Sequence, residues 1–377
     1  MAGIYIHIPF CKTRCIYCDF YSTTRSELKE QYIGALCTEL TMRKDYLQGE
    51  PIETIYFGGG TPSQLAATDF EQVFFVIKEL YNMQHCREIT LEANPDDLTP
   101  EYLQSLSHLP FNRISMGIQT FDDATLKLLK RRHTSSQAIK AIETCRQAGF
   151  QNISIDLIYG FPGATLERWE CDLKQAIALD VEHISAYHLI YEEGTPLYTL
   201  LKNHQIEEVD EESSVHFFSL LIDRLTEAGY EHYEISNFCR LGKLSQHNTS
   251  YWQGIHYLGC GPSAHSFNGD SREWNSASID TYINGINNGL RAFETEERDE
   301  VTCYNEFILT SLRTVWGISL QRLQSEFSEQ LHRYCLRMAD EHLQSGKLEL
   351  RNDSLCLSRE GIFVSDGIMS DLLWVEE

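Results

Sequence analysis

Short runs of apolar residues, some unbroken and some alternating with polar ones, recur through the first half of the chain. Each is followed by a longer stretch in which apolar residues return every third or fourth position. Side chains repeat every two residues on a strand and about every 3.6 on a helix, so the two patterns predict strands and amphipathic helices in turn. The run Ile4-Tyr5-Ile6-His7-Ile8-Pro9 opens the series as a strand. Helical spacing at Leu28, Tyr32, Ile33, Leu36 and Leu40 follows over Ser26 to Tyr46, with Ser26 or Thr24 as N-cap. Further strands are predicted over Ile52 to Phe57, Glu88 to Ala93, Arg113 to Ile118, Asn152 to Ile158 and His183 to His188. The intervening helices are Thr68 to Tyr81, Pro100 to Ser107, Asp122 to Arg132, Ser136 to Ala148 and Leu166 to Ala178.

Strands and helices that alternate in this way build parallel βαβ units. Such sheets form a doubly wound layer or a barrel, and in both the ligand sits at the carboxyl ends of the strands. The chain's unusual residues fall there: a cysteine loop after strand one, Gly58-Gly59-Gly60 after strand two, Glu92-Ala93-Asn94-Pro95 at strand three, Gln119 after strand four, Asp156 in strand five and Tyr187-His188 in strand six. Beyond residue 190 the alternation fades. Helix Glu211 to Ala228 leads to an extended run at 230–238, then to Gln246 to Asn268, rich in Gly, aromatics and His. Helices Ile279 to Gly289, Tyr304 to Arg313, Leu320 to Phe327 and Gln330 to Gln344, with a short β ending from Leu348, predict a smaller, mainly helical C-terminal domain. The expected division is 1–190, 191–275 and 276–377.

A length of 377 residues suits two domains or a large α/β barrel with an appended one. With 42% hydrophobic residues the core is sizeable, yet no apolar run approaches the ~18 residues that span a membrane. No targeting segment precedes the first strand, so the cytoplasm is the expected compartment. The net charge of −24 argues against a nucleic-acid partner. The one compact basic run, Lys127 to His133, reads mostly as a helix end, where cations favour the dipole.

The chemistry centres on Cys11-Lys12-Thr13-Arg14-Cys15-Ile16-Tyr17-Cys18. Closely spaced thiols on one loop can wrap an iron–sulfur cluster. Three cysteines leave one iron of a [4Fe–4S] cube without a protein ligand, open to a small molecule. The alternatives are a zinc site, which would want a fourth Cys or His such as His7, and cysteines that are merely buried. Twelve cysteines are too few for this length to be a disulfide scaffold. The glycine triplet lets backbone approach a ligand closely, or is only a tight turn. Glu92 suits a ribose diol, or a salt bridge to Arg113. Arg131 suits the same site or an exposed helix end.

Cys-x-x-x-Cys-x-x-Cys with an aromatic before the last cysteine resembles the radical S-adenosylmethionine (SAM) superfamily. More narrowly, Ile4 to Cys11, Tyr56 to Ser63, Ile114 to Phe121 and Ile155 to Gly160 are together similar to the oxygen-independent coproporphyrinogen III oxidase family, over most of the first 190 residues. The resemblance implies a partial (β/α)6 TIM-like barrel with a [4Fe–4S] cluster on Cys11, Cys15 and Cys18. The amino and carboxylate groups of SAM would take the open iron, and an electron from the cluster could cleave the sulfonium to a 5′-deoxyadenosyl radical. Tyr5, Gly59 and Glu92 would contact that SAM. Tyr17, Gly60, Thr61, Gln119, Arg131 and Asp156 correspond to positions lining a second SAM in the oxidase.

The oxidase itself carries a further cysteine where Phe20 stands here, and has an extension ahead of the cluster where only ten residues precede Cys11. Both departures point to the HemW-type haem chaperone group, as does His247-Asn248-Thr249-Ser250-Tyr251-Trp252, which resembles that group's His-Asn-x-x-Tyr-Trp segment. A neutral imidazole can ligate haem iron while aromatics cover the macrocycle, so His247, Tyr251 and Trp252 are candidate haem residues. His256, His265 and Cys260 compete as ligands. The function implied is to bind haem and pass it to an acceptor protein, with an electron donor for the cluster; a homodimer is left open. Oxidative decarboxylation of coproporphyrinogen III is the enzymatic alternative, and a binding protein with a structural cluster the third.

Overall fold

The computed structural model describes residues 1–375 of the chain. The βα alternation appears as β1 (Ala2–Ile8), α1 (Lys29–Met42), β2 (Ile52–Gly59), α2 (Ala67–Leu80), β3 (Glu88–Ala93), α3 (Pro100–Leu106), β4 (Arg113–Gln119), α4 (Asp123–Leu128), α5 (Ser135–Gln147), β5 (Ile153–Tyr159), α6 (Leu166–Ala178) and β6 (His183–His188). These six strands pair in parallel, each with the next. They are buried along nearly their whole length, as strands covered on both faces must be. Phe57, Phe70, Phe74 and Phe111 meet ring to ring at 5.0–5.4 Å and lock β2 to α2. Such aromatic pairs add about 0.5–1.5 kcal/mol each beyond their area.

The rest of the chain runs α7 (Pro196–Lys202), α8 (Glu211–Glu227), β7 (Glu231–Glu234), β8 (Asn237–Cys239), α9 (Gln246–Trp252), β9 (Tyr257–Cys260), β10 (His265–Phe267), β11 (Ser271–Asn275), α10 (Ile279–Asn287) and β12 (Phe293–Glu297). It widens the sheet on both sides, giving the order β12-β11-β10-β9-β1-β2-β3-β4-β5-β6-β8-β7. The strand β9 joins β1 in parallel, so the parallel portion holds one strand more than the sequence pattern predicts. Its four residues are too few to show a period. The sheet stays open, with β12 and β7 at its edges: a partial barrel.

Buried Glu39 of α1 fastens the late strands to the early ones. It accepts from Gly261 N at 2.8 Å, Asn275 Nδ2 at 2.7 Å and the Tyr282 hydroxyl at 2.6 Å. A carboxylate out of water is tolerated only with donors of this kind. The C-terminal part comprises α11 (Glu300–Leu312), β13 (Ile318–Ser319), α12 (Leu320–Glu326), α13 (Glu329–Gln344), β14 (Leu348–Arg351), β15 (Ser354–Leu357), α14 (Arg359–Ile362) and α15 (Ser365–Leu372). It has its own apolar core around Tyr304, Ile308, Leu331, Cys335 and Leu372. It is tied to β7 by Arg313, which reaches Glu234 at 2.9 Å.

One predicted helix is corrected. It ends at Leu128, not Arg132, because Lys130 takes φ 58° and turns Arg131-Arg132-His133 back toward the sheet.

Candidate functional site

The carboxyl ends of β1 to β6 enclose a cavity of about 570 Å³. Its lining includes Tyr5, Cys11, Cys15, Tyr17, Cys18, Gly59, Gly60, Thr61, Glu92, Gln119, Arg131 and Asp156. The cysteine loop is pinned by backbone bonds from Cys11 N to Thr23 O at 2.9 Å and from Ile16 N to Leu129 O at 3.3 Å. Cys11 Sγ lies 3.3 Å from Thr61 Oγ1, and Arg131 donates to Cys15 Sγ at 3.5 Å. Burial raises the Cys11 thiol above its ordinary range and Cys18 to about 11, so positive charge from bound metal is what would make thiolates of them.

Among the described residues no three His, Cys, Asp or Glu side chains converge to hold a single metal ion. Cys11, Cys15 and Cys18 all line the cavity. His7 offers no fourth ligand, since Nδ1 meets the Tyr5 hydroxyl at 3.1 Å and Nε2 the Tyr21 carbonyl at 2.9 Å.

The glycine triplet is demanded by packing against β1. A Cβ on Gly59, at φ 105°, would lie 2.5 Å from the His7 ring, and one on Gly60 2.8 Å from Pro9 C. Only glycine lets the loop lie this close to β1 while its backbone faces the cavity. Across from it, Glu92 accepts from the Tyr56 hydroxyl at 2.7 Å and Gly59 N at 3.1 Å. The alternative partner Arg113 stands instead 4.0 Å from Glu88. Burial, helped by Asp156, raises Glu92 to about 7; burial raises Asp156 to about 6, against Arg113.

Arg131 is not an exposed helix-end charge. The turn at Lys130 folds it inward, where it donates to Asn94 Oδ1 at 2.7 Å and to the Gly117 carbonyl. Gln119 sits at φ 72° where β4 slips register against β5, and that kink sets it at the cavity wall. Arg131 Nε and Arg113 Nε and Nη1 are buried without a partner, which suits a polar ligand in the cavity.

His247 is not brought to this or the neighbouring cavity. Its Nδ1 meets Thr54 Oγ1 at 2.7 Å and its Nε2 the Tyr251 hydroxyl at 2.8 Å, leaving no nitrogen for iron. Burial, with Arg113 adding, holds it neutral at about 3. The helix α9 that carries it is capped by the carboxylate of Glu88, which accepts from Gln246 N at 3.1 Å and His247 N at 2.9 Å. Cys260 is buried, and His256 meets Glu50 at 2.6 Å. Tyr251, Trp252 and His265 line a second, larger cavity. Sequence reasoning passes over Tyr56 as a Glu92 partner and Glu88 as a helix cap, since neither stands in a motif.

An open parallel sheet with a three-cysteine loop and a glycine strip at its strand ends defines a radical SAM protein. Residues 5–176 match the Radical SAM superfamily and residues 302–364 the HemN C-terminal domain. The chain is 32% identical to "Heme chaperone HemW" of Bacillus subtilis (strain 168) over 99% of both chains. It is 35% identical to the protein of that name from Lactococcus lactis subsp. lactis (strain IL1403), over 86% of this chain and 84% of that one. The solved structure of coproporphyrinogen III oxidase (HemN) from Escherichia coli superposes with a TM-score of 0.84 at 21% identity, over 99% of this chain and 90% of the other. The chain belongs to the HemW-type group of the oxygen-independent coproporphyrinogen III oxidase family. No helix among the described residues is long and apolar enough to cross a membrane.

Proposed function

We propose that the chain is a haem chaperone: it holds a [4Fe–4S] cluster and SAM, binds haem and passes it to an acceptor protein. The observation that carries this reading is near full-length similarity, at 32–35% identity, to proteins named for that role. Likeness to the oxidase is one of fold, and Phe20 stands at the oxidase's further cysteine.

Cys11, Cys15 and Cys18 would hold the cluster. Cluster and SAM together, when bound, supply one-electron chemistry at a sulfonium. The chain's own residues bind and orient. The Gly59 backbone would meet the amino acid end of SAM, Glu92 would accept from a ribose diol, and Tyr5 would cover one side. Arg131 and Asp156 supply opposite charges on the far wall. A cysteine-rich chain whose thiols are all free suits a reducing compartment such as the cytoplasm, where an electron donor would serve the cluster.

The test is transfer. Reconstituted full-length protein is loaded with haem, mixed with an apo haem protein and followed optically; movement of the haem spectrum to the acceptor is expected. Anaerobic turnover of coproporphyrinogen III with SAM and reductant would replace the chaperone reading by the oxidase one.

A further inference from the structure

The second cavity, about 920 Å³, lies beside the cluster cavity and shares Tyr5, Asp19, Phe20 and Tyr251 with it. Its size falls at the upper end of the ~300–1,000 Å³ of ordinary ligand sites. It opens between β10 and β11 on one side and α11 and α12 on the other. Three features of its lining belong together. Aromatic side chains from separate segments line it, Trp252, Phe267 and Phe307 among them, with Arg298 over the Phe267 ring at 4.8 Å and Arg322 over the Phe307 ring at 4.9 Å. Arg272 and Arg298 share a single carboxylate, Glu306, at 2.8 and 2.5 Å, and among the described residues the buried Arg298 Nε has no hydrogen-bond partner. His265 faces the cavity stacked on Trp274, centroids 5.8 Å apart, and neither of its ring nitrogens has a hydrogen bond among the described residues.

We propose that this cavity is the haem site, with His265 as the axial ligand to iron and Arg272 and Arg298 on the propionates. The inference rests on the haem-binding reading above and names the place and ligand that reading leaves open. A free imidazole, aromatic side chains and two guanidinium groups in one cavity are what a metalloporphyrin with two carboxylates requires. His265 is also kept neutral, burial and then Arg272 lowering it from its ordinary value, and the neutral ring is the form that binds metal. His7 and His247 have both nitrogens engaged, and His256, held by Glu50 at Nδ1, is not among the lining residues. Cys303 is a rival donor on the same wall. The shared wall sets the cargo beside the cluster without merging the two sites.

The experiment titrates the reconstituted full-length protein with ferric haem, anaerobically, for wild type, His265→Ala, His247→Ala and Cys303→Ser. His265→Ala is expected to weaken binding by roughly 10- to 100-fold, as loss even of a ligand's hydrogen-bond partner does. Added imidazole should restore the spectrum in that variant. Because His265 lies on the cavity wall and outside the apolar core, the variant should keep its unfolding midpoint and iron content. Haem dimethyl ester, with its propionates blocked, should bind wild type more weakly than haem, a readout that needs no variant. An unchanged spectrum in His265→Ala, with loss in His247→Ala or Cys303→Ser, overturns the site while leaving the haem-binding reading intact. Equal affinity for the dimethyl ester overturns the arginine clamp. Wild type that binds no haem overturns both the site and the reading.

Discussion

The two neighbouring cavities are built in opposite ways. The strand-end cavity takes its lining from successive strands, so each residue is placed by a short motif next to a predictable element: cysteines after β1, glycines at the end of β2, Glu92 in β3, Gln119 at the end of β4, Asp156 in β5. The larger cavity is assembled from α9, β10, β11, α11 and α12, whose partners lie far apart in the chain. The first is also a place of strained or costly groups. It holds two carboxyls well above their ordinary range, a glutamine at φ 72° and guanidinium nitrogens without partners. The second is aromatic, with its charges mostly paired. Costly burial of this kind marks a site whose polar ligand completes it, whereas an aromatic slot suits a cargo that must also leave.

The largest effect should come from the cysteines. Replacing Cys11, Cys15 or Cys18 by Ser removes one of only three thiolate donors, and loss of the cluster is expected in iron analysis and visible absorbance. If the cavities are separate, haem titration of the same variants stays within a few-fold of wild type; loss of haem along with iron would show that they are one site.

Gly59→Ala comes next. A methyl 2.5 Å from the His7 ring, on backbone at φ 105°, must displace either that buried, hydrogen-bonded ring or the loop. We expect about 3 kcal/mol or more of destabilisation in denaturant unfolding, the sum of steric conflict and backbone strain. A change under ~0.5 kcal/mol would mean the loop is not seated on β1 as described.

Glu92→Gln sharpens the contrast through pH. In the ligand-free site Glu92 titrates near 7, above its unfolded value, so the folded protein keeps a proton that the unfolded chain has released. Its contribution is therefore fully present below about pH 4 and is lost as pH rises through 7. Asp156, near 6, acts in the same sense over a lower range. Between about pH 4.5 and 8 the wild type should lose up to roughly 3 kcal/mol more stability than Glu92→Gln. Unfolding across that range checks it, and parallel pH profiles would remove Glu92 as the titrating group. SAM affinity should fall in the variant, because the amide accepts at one oxygen where the carboxylate accepts at two.

The same contrast explains which features are legible in the amino-acid sequence. The parallel strands and the cysteine, glycine and carboxylate positions are legible because period and motif are local. Arg131 is not, since a single left-handed residue, Lys130, decides whether it leaves the helix outward or turns in. The surroundings of His247 are hidden for a related reason: nothing local shows that Thr54, far earlier in the chain, takes its Nδ1. The strand β9 is invisible because four residues show no period, and its pairing with the first strand of the chain leaves no local mark.

The smallest effect is expected at the wall itself. Phe20 borders both cavities but is 64% exposed, so its ring stabilises little by burial. Phe20→Ala should leave unfolding stability within about 0.5 kcal/mol, as surface substitutions generally do. Iron content should also hold, since Phe20 donates nothing to the cluster and the loop backbone is fixed elsewhere, at Cys11 and Ile16. Haem affinity should fall only about two- to threefold, because an exposed ring at the edge of a site contributes less than the groups at its centre. If Phe20→Ala instead costs iron and haem together, the ring is a strut common to both cavities, and the two would have to be treated as a single continuous chamber.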